Sequence, residues 1–148
     1  MVNQEIITRF LGLLRQYAGE LKNEQHATWE EFSQDTKNKR FVERTLQMCI
    51  EVCLDIGNHI ISDEGWKEAE TNRDIFLRLK EKEVVSDDLL NRLLQMAGFR
   101  NRIIHDYAEI EPEMVYGILK NNLKDFDSYA SEILNWLEKK RKGSQNEK

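Results

Sequence analysis

Hydrophobic residues recur at intervals of three and four along most of the chain, the spacing that places them on one face of an α-helix. Similar stripes predict a first helix over residues 3–23, which Asn3 can cap, and a shorter one over residues 72–82. The longest stripe consists of Val42, Leu46, Cys49, Ile50, Cys53, Leu54 and Ile60 or Ile61. This pattern predicts a chain built from amphipathic helices that share one core.

Polar residues mark where these helices begin and end. Thr28 followed by Glu31 is a capping-box pattern that opens a short helix or turn. Residues 62–65 interrupt the longest helix, and Ser86 can cap the next one. Pro112 suits the first position of a final helix, whose apolar spacing continues to about Lys140.

Composition supports a single helical domain. The 148 residues are 40% hydrophobic and 33% charged, with seven glycines and one proline, which favours long helices and excludes disorder. We expect an all-α, up-and-down bundle of about five helices over residues 1–142, followed by a disordered polar tail over residues 143–148.

The net charge of −5 excludes a surface that binds nucleic acid everywhere. Residues 89–105 nevertheless contain no acidic residue, so a local site is possible there. Without a secretion signal or a membrane-length apolar run, we expect a cytoplasmic protein that does not bind membranes.

Cys49 and Cys53 lie within the longest stripe and are interpreted as core thiols. The chain has no Glu-x-x-His pair, which excludes the di-metal carboxylate bundles, and we expect no metal or cofactor.

The acid-free window contains Arg100, Asn101, Arg102 and His105, with Tyr107 just beyond it. A permanent planar cation and a side chain that exchanges a proton near neutrality together suggest chemistry on a phosphodiester. On one straight helix, however, Arg100 and His105 point roughly 140° apart. A two-fold dimer would remove this difficulty, because Arg100 of one chain could reach a phosphate held near His105 of the other.

A simpler interpretation remains open at this point. Arg100 and Arg102 could be solvated or ion-paired, and His105 could only end a helix, so that the chain would be a structural helical dimer. Charged residues beside the longest stripe are expected to be its solvated flank; these are Glu43, Arg44, Glu51 and Asp55.

The segment from Phe99 to Tyr107 resembles the R-x4-H-x-Y signature of HEPN-domain ribonuclease toxins of the HepT-like group. The resemblance implies a HEPN-like fold and a homodimeric, metal-independent endoribonuclease with a composite site at the dimer interface. It implies catalytic roles for Arg100, His105 and Asn101, and we expect Arg102 to bind RNA. It also implies a partner, a minimal nucleotidyltransferase antitoxin that adenylylates Tyr107. DNA lacks the ribose hydroxyl that such cleavage needs and should not be a substrate.

The alternative within the same resemblance is a non-catalytic HEPN-like module that binds substrate for a nucleotidyltransferase. The complete set of Arg100, Asn101, His105 and Tyr107 favours the enzyme, since a binding module has less need for both a proton carrier and a phosphate cation.

Overall fold

Seven helices account for most of residues 3–106 and 110–146, the parts of the chain that this computed structural model describes. They are α1 (Gln4–Lys22), α2 (Trp29–Gln34), α3 (Thr36–Asp63), α4 (Asn72–Glu81), α5 (Asp87–His105), α6 (Pro112–Asn121) and α7 (Lys124–Asn146). The predicted all-α class is confirmed. None of these helices is both long and apolar enough to cross a membrane.

The predicted capping residues begin their helices. The side chain of Asn3 accepts a hydrogen bond from the amide of Ile6, and that of Ser86 accepts one from the amide of Leu89. Thr28 and Glu31 form both hydrogen bonds of the capping box. These side chains satisfy amide groups that have no partner within the helix, and so they fix where each helix starts.

The end of α3 is a Schellman motif. The amide of Trp66 donates to the carbonyl of Ile61, and Gly65 adopts a φ of 69°, a left-handed conformation that glycine tolerates without steric cost. The chain therefore leaves α3 where the sequence predicts a break.

Two predictions about the last third of the chain are wrong. The single helix expected from Pro112 to about Lys140 is two helices, since α6 ends at Asn121 and the amide of Asp125 donates to the carbonyl of Asn122 in the turn between them. The apolar spacing continues through Leu123, which is buried, so periodicity alone did not reveal the turn. At the other end, α7 continues to Asn146, into the segment for which we predicted a disordered tail. Together with α2, which the sequence left open as a short helix or turn, this split gives the described residues seven helices instead of about five.

The central helix is α3, which contacts all six of the other helices. Its apolar stripe is buried as predicted. Cys49 and Cys53 are free thiols inside this core, and burial, with Glu20 adding to it, raises the pKa of Cys49 to about 12. Gly57 allows α4 to approach α3 closely, because a Cβ atom there would lie 2.5 Å from Cγ2 of Ile75. This close contact places the first turn of α4 beside the end of α5.

Candidate active site

The last two turns of α5 carry the candidate site. Phe99 and Ile103 are buried and anchor this end of the helix in the core, so the residues between and after them point toward the surface. Arg100 is half-buried, whereas Asn101, Arg102 and His105 are exposed. The four predicted site residues therefore lie on one helix end but on different sides of it.

Arg100 is held by α3. Its Nε atom donates to Oε1 of Glu51 at 2.8 Å, and Nη1 donates to Oδ1 of Asn101 at 3.3 Å. The side chains of Arg100 and Glu51 are 22% and 35% exposed, so the pair is partly shielded from water. A guanidinium has five N–H donors, and three remain available for a phosphate. The ion pair fixes the orientation of the cation without using all of its donors.

Asn101 is held by α4 as well as by Arg100. Its Oδ1 atom accepts a second hydrogen bond, at 3.2 Å, from Nδ2 of Asn72, the first residue of α4. Since Oδ1 is occupied by two donors, the amide nitrogen of Asn101 is oriented outward as a donor. Glu51, Arg100, Asn101 and Asn72 thus form one hydrogen-bonded chain across three helices.

Glu51 and Asn72 were missed from the sequence. We predicted that Glu51 belongs to a solvated flank, and this is wrong, because its carboxylate binds Arg100. The two residues are separated by 49 positions, and no local pattern relates them. An unpaired arginine on one helix and a carboxylate next to an apolar stripe on another were the only available signals.

Arg102 lies on the other side of α5. Its Nη1 atom is 3.8 Å from the sulfur of Met114 on α6, and it forms no ion pair with any residue in the described ranges. The structure therefore does not bring Arg102 to Arg100. The guanidinium of Arg102 is a cation with free donors beside a cavity between α5, α6 and α7.

His105 is the last residue of α5 and is exposed. Within residues 3–106 and 110–146 its imidazole has no hydrogen-bond partner. Within one chain the structure does not join His105 to Arg100, in agreement with the helical geometry that separates them by about 140°. Tyr107, the predicted modification site, lies outside the described residues.

Two carboxyl groups of α3 have altered acidity, and one of them, Asp55, interacts with Glu51 of the site. The pKa of Asp55 is raised by partial burial and by the charge of Glu51, while His59 acts in the opposite direction. Partial burial also raises the pKa of Glu43.

The described residues include no group of three or more histidine, cysteine or acidic side chains that could hold a metal ion.

The chain as a whole is similar to known proteins. Residues 7–133 match the family model described as "Ribonuclease HepT-like". The chain belongs to the HepT-like ribonuclease family. The resemblance inferred from the motif is therefore confirmed at the level of the family.

Two relatives of this HepT-like chain have specific descriptions. It is 32% identical, over 103 residues, to the "mRNA nuclease HepT" of Shewanella oneidensis, covering 70% of this chain and 77% of the relative. It is 26% identical, over 132 residues, to the "tRNA nuclease HepT" of Aphanizomenon flos-aquae, covering 89% of this chain and 90% of the relative.

A solved structure shares the fold of this HepT-like chain over nearly its whole length. It is described as the tri-AMPylated Shewanella oneidensis HEPN toxin in complex with MNT antitoxin. The TM-score is 0.81 at 27% identity, and the match covers 91% of this chain and 99% of that one. The HEPN-like bundle predicted from the sequence is thereby confirmed.

Proposed function

We propose that this chain is the toxin of a toxin–antitoxin pair and acts in the cytoplasm as a metal-independent endoribonuclease. The observation that carries the proposal is the orientation of Arg100, which Glu51 and Asn101 hold at the surface with donors still free. Family membership and the relatives described as nucleases support the same reaction class.

The chemistry needs few groups because RNA supplies its own nucleophile. The 2′-hydroxyl attacks the adjacent phosphorus, its proton passes to a base, and the bond to the 5′-oxygen breaks as that oxygen receives a proton. The immediate product is a cyclic phosphate. His105 is the proton carrier, and Arg100 stabilises the charge that develops on the phosphate oxygens. The outward amide nitrogen of Asn101 donates to a phosphate oxygen or to the imidazole of His105.

The composite site follows from the separation of these groups. Arg100 is anchored toward α3, whereas His105 is free at the end of α5, and one straight helix cannot aim both at the same phosphate. In a two-fold dimer built around α5, Arg100 of one protomer completes the site of His105 of the other. The exposed side chain of Ile104 lies on α5 beside these residues and is available to such an interface.

Purified protein and RNA test the enzymatic proposal. Cleavage should persist in excess chelator and should fall by about a hundredfold to ten-thousandfold in Arg100→Ala and in His105→Ala, the usual loss for an acid–base or charge-stabilising group. Exposed residues of the same types away from the site provide matched controls, so Arg9→Ala and His26→Ala should cleave like the parent.

Two results would overturn this assignment. Loss of cleavage in chelator that is regained with a divalent cation would exclude a metal-independent mechanism. RNA binding without cleavage by the unmodified parent would favour the non-catalytic module that assists a nucleotidyltransferase.

Regulation by a minimal nucleotidyltransferase antitoxin is the second part of the proposal. The related toxin is tri-AMPylated and bound to an MNT antitoxin, which supports adenylylation of the signature tyrosine, Tyr107 in this chain. Adenylate phosphates so close to the motif arginines would compete with RNA through charge and bulk.

Intact-mass analysis after co-expression with the antitoxin should show adenylate increments and lost cleavage in the parent. Tyr107→Phe should show neither, and neutralisation that persists in this variant would indicate inhibition by binding alone.

A further inference from the structure

A cavity of about 430 Å³ lies between α5, α6 and α7, and Ile50 of α3 also lines it. Its walls are mainly apolar and include Met96, Phe99, Met114, Ile118 and Phe126. The volume falls within the roughly 300–1,000 Å³ of small-molecule sites, which typically combine apolar walls with a few polar groups. Of the residues given a role above, Arg102 alone lines this cavity.

Polar groups occupy two ends of the cavity. Arg102 is at one end, exposed and without an acidic partner among the described residues. Arg92 is ten residues earlier on α5, or roughly 15 Å along the helix axis. Its Nε atom lies 3.0 Å from Oδ1 of Asp125, whose side chain is only 2% exposed. The two atoms are too poorly aligned for a hydrogen bond, so each retains hydrogen-bonding capacity beside the apolar walls.

We propose that this cavity binds one unstacked base of the RNA strand, with the adjoining phosphate on Arg102. A base has apolar faces and an edge of donors and acceptors, and its phosphate requires a free cation. The apolar walls suit the faces of the base, the Arg92–Asp125 pair suits its polar edge, and Arg102 is the cation for the phosphate. The absence of acidic residues from 89 to 105 favours an anionic strand along this side of α5. This inference rests on the proposed function, because it assigns part of the same substrate.

The position of the cavity is consistent with the composite site. Arg102 and His105 are three residues apart, so they point only about 60° apart on α5, whereas Arg100 lies about 160° from Arg102. A phosphate on Arg102 is therefore on the His105 side of the helix. At each active site, the RNA base would bind in the cavity of the protomer that supplies the imidazole of His105, and the partner protomer would supply Arg100.

Methionine methyl groups report on the cavity directly. Met96 and Met114 line it, whereas Met48 on α3 does not and serves as the internal reference. With ¹³C-methyl methionine in the full chain, AMP and CMP at millimolar concentration should shift the Met96 and Met114 resonances saturably and leave Met48 in place. Ribose 5-phosphate carries the phosphate without the base and should leave Met96 unshifted.

Three variants separate this proposal from the catalytic one. Ile118→Trp fills the cavity and should abolish the Met96 shift, and Arg102→Gln should weaken mononucleotide binding about tenfold. Arg100→Gln should abolish cleavage and leave the shift unchanged. If Ile118→Trp does not fold, the comparison of AMP with ribose 5-phosphate in the parent remains decisive.

Each remaining outcome contradicts one proposal only. The base site is overturned, even if the protein cleaves RNA, by either of two results: the Met96 resonance shifts with no mononucleotide, or it shifts as much with ribose 5-phosphate as with AMP. If no mononucleotide shifts it, the cavity would instead suit an apolar segment of a protein partner. A mononucleotide shift in a parent that does not cleave RNA supports the base site and overturns the enzyme.

Discussion

The two sides of α5 differ in how many of their functional side chains are held by hydrogen bonds within one chain. On the side that faces α3 and α4, Glu51 and Asn72 hold Arg100 and Asn101 in a hydrogen-bonded chain. On the other side, Arg102 contacts only a methionine sulfur and His105 has no partner within the described residues. The anchored side can pre-organise a cation for a transition state, whereas the open side has to be completed by another molecule.

The largest predicted effect contrasts the contact between α3 and α4, the two helices that hold the anchored side, with the open side of α5. A methyl group added at each place should reveal it. Gly57→Ala places a Cβ atom 2.5 Å from Ile75 and 3.2 Å from Leu79, and overpacking of this kind typically destabilises by about 1–3 kcal/mol. Gly98→Ala on α5 meets nothing within 4 Å, so the free energy of unfolding should rise by up to about 1 kcal/mol through helix propensity.

Denaturant unfolding of both variants measures this contrast. Equal destabilisation by the two substitutions would mean that Gly98 is closely covered in solution, and the open side of α5 would then be packed in the free protein.

A smaller effect should come from the anchor itself. Glu51→Gln keeps the shape of the side chain but removes the charge that orients Arg100, so we expect kcat for RNA cleavage to fall about tenfold, or about 1.4 kcal/mol of transition-state stabilisation. KM should not rise, because the freed guanidinium still binds phosphate. This split between kcat and KM identifies a positioning role.

Glu43→Gln is the matched control, since Glu43 is a partly buried carboxyl of the same helix and forms no hydrogen bond or ion pair with the described residues of the motif. Glu51→Asp should recover part of the loss if it still reaches Arg100. A Glu51→Gln variant with the parent's kcat would show that the ion pair is structural only.

Local sequence signals predicted where several helices begin, but contacts between residues far apart in the sequence could not be predicted. The helix starts at Asn3, Thr28 and Ser86 depend on side chains within three residues of the amides that they cap, so the sequence displays them directly. The turn after Asn121 was missed because the apolar spacing runs through it. The link between Glu51 and Arg100 was missed because it depends on how α3 and α5 pack.

The candidate site was predicted from residue types, helical geometry and the resemblance of residues 99–107 to the family signature. The motif identified Arg100, Asn101 and His105, and the angle between them anticipated that one chain would not join the arginine to the histidine. The cavity beside Arg102 could not be anticipated, because its walls come from four helices.

Complementation between two inactive variants tests the composite site most directly. In a mixed dimer of Arg100→Ala and His105→Ala, one of the two sites combines the intact Arg100 of one protomer with the intact His105 of the other. Random mixing after refolding should therefore restore about a quarter of the parent's RNA cleavage, because half of the dimers are mixed and each has one intact site. Cleavage no greater than that of the separate variants, with mixed dimers shown by mass spectrometry, would contradict a site shared between two chains.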